Sequence, residues 1–443
     1  MSNGGSAPCG SKASDSSTMS AGSNILFKLS GSIAAWKACA VISQLVKDGH
    51  QVQAVATEAA LRFIGPATLE GLTGRPVLSD LWARGAAMEH INLVKWADLT
   101  ILCPATANTI NRFAAGIADD LVGSLFLAHN RTRPYLVAPA MNPAMWAHPA
   151  TAASVETLRS WGVNVLPVAS GRLACGDEGA GRMIEPEAIL VAIRTALAQG
   201  RGEVPRTSAR LRVLVTSGGT EEPVDGVRSL GNFSSGRTGA LIADTLAALG
   251  HEVTLLRGGR SARPAFVQDV RAYTAFSDLQ AALRTMLAEE RFDAVVHAAA
   301  VGDYAVDGVS VDGAAATVGR GKIESGREVR IHLRPTPKLV DHLKGWSANP
   351  DLKVVAFKLT RGADEAAARA AVEHLFAHSG ADAVVHNDLE SAGAEPDAFP
   401  ATLWPRGGEP LVFATRGQLA RGLGRFLLTH AAEARPAAEA SHP

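Results

Sequence analysis

One pattern occurs twice in this chain and leaves few folds open to it. An apolar segment runs into a glycine turn, an apolar-rich helical segment follows, a Gly-His pair stops it, and a second apolar segment begins. In the first half these parts are Asn24–Leu29, Ser30-Gly31-Ser32, Ile33–Lys47, Gly49-His50 and residues 52–56. In the second half they are Val213–Thr216, Gly218-Gly219, Thr238–Leu249, Gly250-His251 and Val253–Leu256. Both units close on G-H-x-V. Strand, turn, helix and strand at these lengths make a βαβ unit, so the pattern predicts two α/β domains with parallel sheets. Further strand candidates are 99–104 and 135–140 in the first half, and 294–300, 354–357 and 383–386 in the second. In such sheets ligands sit beyond the carboxyl ends of the strands, so the residues just after each strand matter most.

The chain has 443 residues, 47% of them hydrophobic, which is enough for two or three domains with sizeable cores. Lys+Arg and Asp+Glu both number 43, which argues against a broad nucleic-acid surface. The four cysteines, Cys9, Cys39, Cys103 and Cys175, form no C-x-x-C pair, so a disulfide framework or zinc site is not expected. No apolar run reaches the roughly 20 residues of a membrane span, and no signal-peptide core is present. A cytoplasmic protein is expected. Residues 1–22, rich in Ser, Gly and Ala, read as a disordered extension. Residues 23–197 and 211–430 read as the two domains, 198–210 as their linker, and 431–443 as a frayed tail.

Residues 170–183 place one cysteine, Cys175, among Gly171, Gly176, Gly179 and Gly181. This composition reads as a mobile flap carrying a thiol, anchored by Met183 and Ile184. The turn Ser30-Gly31-Ser32-Ile33 opens a helix, where backbone N–H groups can meet a phosphate. Thr106 and Asn108 follow the 99–104 strand, and Met141-Asn142-Pro143 follow the 135–140 strand. His90 lies in M-E-H-I-N-L-V-K-W-A-D. Taken singly, each has a plain structural reading as a turn, cap or loop residue.

Taken together, S-G-S-I-A-A-W-K, M-E-H-I-N-L-V-K-W-A-D, P-A-T-A-N-T-I, P-A-M-N-P-A-M and A-C-G-D-E-G-A-G-R-M resemble the flavin-dependent phosphopantothenoylcysteine decarboxylases over about residues 24–195. The resemblance implies a Rossmann-like flavoprotein domain that assembles as trimers, with FMN and substrate between subunits. It makes His90 the active-site base, Asn142 the holder of the substrate carboxylate and Cys175 the proton donor. It puts Gly31, Ser32, Ile33, Thr57, Pro104, Ala105, Thr106, Asn108 and Met141 around FMN. One departure is G-I-A-D-D-L at 116–121, where Asp119 replaces the family's amide.

In the second half, T-S-G-G-T (216–220) follows a strand and N-F-S-S-G-R-T-G (232–239) precedes a helix, both suited to anions. Asp303 ends A-A-A-V-G-D, where a carboxylate can meet Mg²⁺ or ribose. Lys322 begins K-I-E-S, read as one arm of a hairpin towards 331–340. In this order the motifs resemble phosphopantothenate–cysteine ligase over about residues 211–430. The resemblance implies activation of 4′-phosphopantothenate by a nucleoside triphosphate and attack by cysteine. It assigns Asn232 to the acyl-nucleotide intermediate and Lys322 to catalysis. It assigns Gly218, Gly219, Thr220, Ser234, Ser235 and Gly236 to the nucleotide, with Ala299, Asp303, Lys322, Pro337, Lys338, Leu339, Val340 and Phe357. N-F-S-S-G, K-I-E-S and A-F-K-L-T depart from common bacterial forms, and Leu375 and Ser379 stand near two positions where lysines are usual. CTP is expected as co-substrate with Mg²⁺, and ATP is the second candidate.

The expectation is therefore a bifunctional enzyme of coenzyme A biosynthesis. An N-terminal flavoprotein domain precedes a C-terminal ligase domain, without nucleic-acid or membrane partners. Substrates would be 4′-phosphopantothenate, cysteine and phosphopantothenoylcysteine. Trimeric and dimeric contacts would combine in a homo-oligomer, up to a dodecamer. The rival is a flavin-binding regulatory protein without turnover. A nicotinamide oxidoreductase is disfavoured because neither half carries a good dinucleotide glycine fingerprint.

Overall fold

The computed structural model describes residues 22–82, 88–172, 176–205, 210–391 and 398–432. The expectations for residues 1–21, for the tail beyond 432 and for Cys175 concern residues outside this set.

In the first half, β1 (Asn24–Leu29), β2 (Gln51–Ala56), β3 (Leu99–Ala105), β4 (Tyr135–Pro139) and β5 (Asn164–Val165) form one sheet in the order β2-β1-β3-β4-β5. Every neighbouring pair is parallel. Helices α1 (Ala35–Lys47), α2 (Glu58–Leu61), α3 (Pro66–Thr73), α4 (Glu89–Trp96), α5 (Ala107–Ala114), α6 (Leu121–Leu127), α7 (Pro143–Ala147), α8 (Pro149–Ser160) and α9 (Pro186–Gly200) connect and flank it. Alternation along β1 feeds two cores. Ile25, Phe27 and Leu29 pack with Ile42, Leu45 and Ile189, whereas Leu26 joins Ile110, Leu125 and Leu158. Lys28 shares the second face and is fully buried. Its amine donates to the Val122 carbonyl at 3.0 Å, and burial lowers its pKa well below the ordinary lysine value.

The glycine-rich stretch around 170–183 differs from expectation. Its arms are paired antiparallel strands, β6 (Val168–Arg172) and β7 (Glu178–Met183). Gly181 has φ +141°, and a Cβ there would lie 2.5 Å from the Met141 carbonyl oxygen. The glycine serves close approach to the Met141–Asn142 segment, not looseness.

The second half contains β8 (Arg212–Ser217), β9 (Glu221–Pro223), β10 (Ser229–Gly231), α10 (Arg237–Ala248), β11 (Glu252–Gly258), β12 (Asp269–Tyr273), α11 (Phe276–Glu289) and β13 (Ala294–His297). After these come β14 (Tyr304–Val311), β15 (Ala314–Ala316), β16 (Val329–Pro335), α12 (Leu343–Trp346), β17 (Lys353–Thr360), α13 (Glu365–His378), β18 (Ala383–Asp388), β19 (Ala398–Pro405), β20 (Leu411–Thr415) and α14 (Arg416–Ala432). The main sheet runs β12-β11-β8-β13-β17-β18-β19-β20. It is parallel as far as β18; β19 and β20 are antiparallel, because hairpin links and not helical crossovers join them. The expected hairpin from 322 is also corrected: β16 pairs with β14, and Lys322 lies in the loop between β15 and β16. The predicted linker begins in helix, since α9 runs to Gly200 and Ala198 packs in the second core. Among the described residues no helix is long and apolar enough to cross a membrane.

The repeated Gly-His pair has the same job in both halves. Gly49 and Gly250, at φ +84° and +93°, end α1 and α10 in the left-handed region that suits glycine. The histidine then clamps the strand before the helix. The backbone N–H of Ser23 donates to His50 Nδ1 at 3.1 Å, and that of Leu211 donates to His251 Nδ1 at 3.3 Å. Both rings must be neutral at Nδ1 to accept, and burial lowers both pKa values, His251 to about 4. The unfolded chain protonates such a ring near pH ~6.5, so between about 6.5 and 4 the unfolded state binds more protons. Stability therefore falls on acidification, at most by about 1.4 kcal/mol per pH unit for His251. Thermal unfolding between pH 7 and 5 is expected to show this slope and His251→Gln to flatten it; an equal slope in the variant would contradict the clamp.

Candidate active sites

In the first half, the turn after β1 is tied to the end of β3. The Ser30 hydroxyl donates to the Pro104 carbonyl at 2.8 Å and accepts from the Thr106 N–H at 2.9 Å. A Cβ on Gly31 would lie 2.6 Å from that of Ala59, so the turn and α2 meet only through glycine. Thr57, Thr106 and Asn142 cap α2, α5 and α7 at the ends of β2, β3 and β4. Two cavities of about 750 and 710 Å³ adjoin there and share Gly31, Thr106 and Met145. The first adds Thr57, Asn108 and the ion-paired Arg112 and Asp119. The second adds Ser32, Ile33, Met141, Asn142, Lys37 and Arg182. Glu185 accepts from Lys37 and Arg182, both at 2.9 Å.

Asn142 accepts from the Ala144 N–H at 2.8 Å and donates its amide to Asp177 Oδ2 at 2.6 Å. Asp177 stands at the start of the second hairpin arm, two positions beyond Cys175, which lies outside the described residues. Pro104 and Ala105 are buried in β3 and line neither cavity; the Pro104 carbonyl is taken by Ser30. His90 also lines neither cavity of its own chain. It sits in the first turn of α4, and its Nδ1 is buried with no partner among the described residues.

In the second half, three strand-end loops are packed backbone to backbone. A Cβ on Gly218 or Gly236 would lie 2.5 or 2.6 Å from the Ser261 Cβ, and one on Gly219 would lie 2.4 Å from the Asn232 carbonyl oxygen. Thr220 Oγ1 accepts from the Gly302 N–H at 2.8 Å, and the Asn232 amide donates to the Val301 carbonyl at 3.0 Å. At the end of β8, beside Gly236, Ser217 Oγ is buried with no hydrogen-bond partner among the described residues. A cavity of about 320 Å³ beside these loops is lined by Ala299, Asp303, Pro337, Lys338, Leu339, Val340 and Phe357. Asp303 pairs with Lys338 at 2.5 Å. Thr220, Ser234, Ser235 and Gly236 belong to the adjoining loops and do not line this cavity.

Lys322 is exposed and does not line it either. Its loop is braced by Asp225, whose buried carboxylate accepts from the N–H groups of Val227, Arg228 and Ile323 at 2.8, 2.7 and 3.1 Å. Those bonds, led by Val227, lower the Asp225 pKa. No group of three or more His, Cys, Asp or Glu among the described residues is placed to hold a metal ion.

The families described as "Flavoprotein" and "DNA/pantothenate metabolism flavoprotein C-terminal domain" match residues 13–198 and 208–425. A "Coenzyme A biosynthesis bifunctional protein CoaBC" from Mycobacterium bovis is 43% identical over 282 residues, 63% of this chain and 66% of that protein. One of the same name from Vibrio cholerae is 34% identical over 90% of this chain and 96% of its own. The chain belongs to the CoaBC family. A solved DNA/pantothenate metabolism flavoprotein from Streptococcus pneumoniae is similar at 27% identity over 50% of this chain and 99% of that one, with a TM-score of 0.44.

Within this family frame, sequence reading missed Asp177, Lys37, Arg182 and Asp225. Lys37, Asp177 and Asp225 act through partners distant in sequence, Arg182 through the nearby Glu185, and only the Asp directly after Cys175-Gly176 offered a local hint. Asp225→Asn is expected to speed hydrogen exchange at Val227, Arg228 and Ile323 about tenfold, because charge-assisted bonds become neutral ones. Unchanged exchange at Ile323 would show that the carboxylate does not hold the Lys322 loop.

Proposed function

We propose that the chain carries out two consecutive steps of coenzyme A biosynthesis. Cysteine is joined to 4′-phosphopantothenate, and the product is then decarboxylated to 4′-phosphopantetheine. The observation that carries the reading is Asn142, whose amide already holds a carboxylate, that of Asp177, at the second of the two clefts in the first half. A side chain that binds one carboxylate at 2.6 Å in this setting suits the carboxylate of phosphopantothenoylcysteine.

FMN is the cofactor in this reading. The donor set fits it: hydroxyls and an amide from Ser32, Thr106 and Asn108 suit the phosphate and polar edge, while Ile33, Met141 and Met145 suit a flat ring. When bound, the flavin supplies two-electron redox chemistry at the carbon bearing the thiol. Asn142 orients the carboxylate that leaves as CO₂. The Cys175 thiol then gives its proton to the carbon left behind, acting as an acid and not as a covalent nucleophile. His90 moves a proton at the same centre. It lines neither cleft among the described residues, and in this reading it serves a neighbouring copy. The exposed Trp36 (60%) and Trp82 (84%) beside the clefts support such a homo-oligomer.

In the ligase half, the pantothenate carboxylate attacks the α-phosphorus of CTP, or of ATP, and pyrophosphate leaves. The cysteine amine then attacks the acyl carbon, and the nucleoside monophosphate leaves. The Asn232 amide stands beside the stitched loops where this intermediate would lie, and Lys322 stabilises developing negative charge. Mg²⁺ would arrive with the nucleotide phosphates, whose oxygens are its usual ligands.

The purified chain with 4′-phosphopantothenate, cysteine, Mg²⁺ and either nucleotide is expected to release pyrophosphate and CO₂. No pyrophosphate with either nucleotide rules out the ligase, and failure to take up FMN rules out the decarboxylase. Cys175→Ser is expected to release CO₂ yet accumulate an oxidised enethiol, visible by mass spectrometry; normal turnover would remove its role as acid. Asn232→Asp is expected to abolish amide synthesis and leave decarboxylation of supplied phosphopantothenoylcysteine intact.

A further inference from the structure

The 320 Å³ cavity of the ligase half has a basic wall that no matched family residue explains. It is formed by His374 and His378 of α13 and by Lys358 of β17. The two histidines are one helical turn apart, with ring centroids 5.1 Å apart. The positions where lysines are usual in the family cannot serve here. Leu375 is buried in the core, and the Ser379 hydroxyl is spent on the Leu375 carbonyl at 2.6 Å.

The cavity wall presents N–H donors to an anion. Asp303 and Lys338 neutralise each other. His297 is buried, hydrogen-bonded through Nδ1 to Thr216 Oγ1 at 2.9 Å, and held neutral by burial with its pKa at about 4. Lys358 has no ion-pair partner among the described residues. His378 donates from Nδ1 to Asp341 Oδ1 at 2.7 Å, which fixes the ring, and its imidazolium form presents Nε2–H to a ligand. The arrangement is a braced imidazole, a second imidazole against it and an uncompensated amine around one opening.

We propose that His374 and His378 are phosphate-binding residues, which with Lys358 receive a phosphate group of a ligase substrate on the α13 wall. The inference rests on the ligase reading above. The phosphate has two sources, the polyphosphate of the nucleotide and the 4′-phosphate of phosphopantothenate, and both present the same oxygens to N–H donors.

Calorimetric titration of the full chain with inorganic pyrophosphate tests the pocket without turnover. His374→Ala and His378→Ala are each expected to weaken binding about tenfold, the worth of one charge-assisted hydrogen bond, and His378→Lys to restore most of it. Steady-state kinetics then separates the sources. A rise in KM for the nucleotide alone assigns the pocket to the polyphosphate, and a rise for 4′-phosphopantothenate alone assigns it to the 4′-phosphate. Unchanged pyrophosphate binding in both alanine variants overturns the proposal. A wild-type chain that binds pyrophosphate but ligates nothing would defeat the ligase reading while the titration still decides the pocket.

Discussion

Each half of the molecule depends on a neutral imidazole at the foot of its first two strands. His50 and His251 accept the backbone N–H just before β1 and β8, at the point where the following helix has turned back. That bond joins the start of the first strand to the start of the second. It sets the in-register parallel pairs Asn24 with Gln51 and Arg212 with Glu252. Once that register is set, the carboxyl ends of the strands come out together on the opposite edge, and every further crossover adds another loop to it.

The loops at that edge would be expensive to gather if they met through side chains alone, because each carries unsatisfied backbone groups. They meet instead through glycine and capping hydroxyls. Ser30 serves the ends of β1 and β3 at once, and Thr220 joins the ends of β8 and β13. A Cβ on Gly31 would strike α2, and one on Gly218 or Gly236 would strike the Ser261 loop. The same small residues that satisfy the backbone leave space beyond it, so binding clefts follow from how the sheet edge is closed.

This explains what could be read from the sequence and what could not. β1 was legible to the residue, and the turns at Gly31, Gly218 and Gly236 were legible because strand, glycine and helix are local signals. The antiparallel strands β19 and β20 were not legible as strands at all, since Pro400 and Pro405 break up the first and the second is largely exposed. Nor was the pairing of β16 with β14, which depends on long-range register and not on periodicity. Side-chain roles divide the same way. Thr57, Thr106 and Asn142 announce themselves as caps before helices, whereas Asp225 and Asp177 act on residues 98 and 35 positions away.

The Asn142–Asp177 contact ties these threads together. Asn142 is an N-cap, so its side-chain oxygen is committed to Ala144 and its amide nitrogen is the group turned to recognition. An amide so oriented selects acceptors and, beside Lys37 and Arg182, favours anionic ones. The chain supplies such an acceptor itself from the hairpin that follows Cys175. A substrate carboxylate that takes the N–H now held by Asp177 must displace that residue. Substrate binding and the position of the hairpin are then competing claims on one hydrogen-bond donor, and the strength of that internal bond sets part of the affinity the site can show.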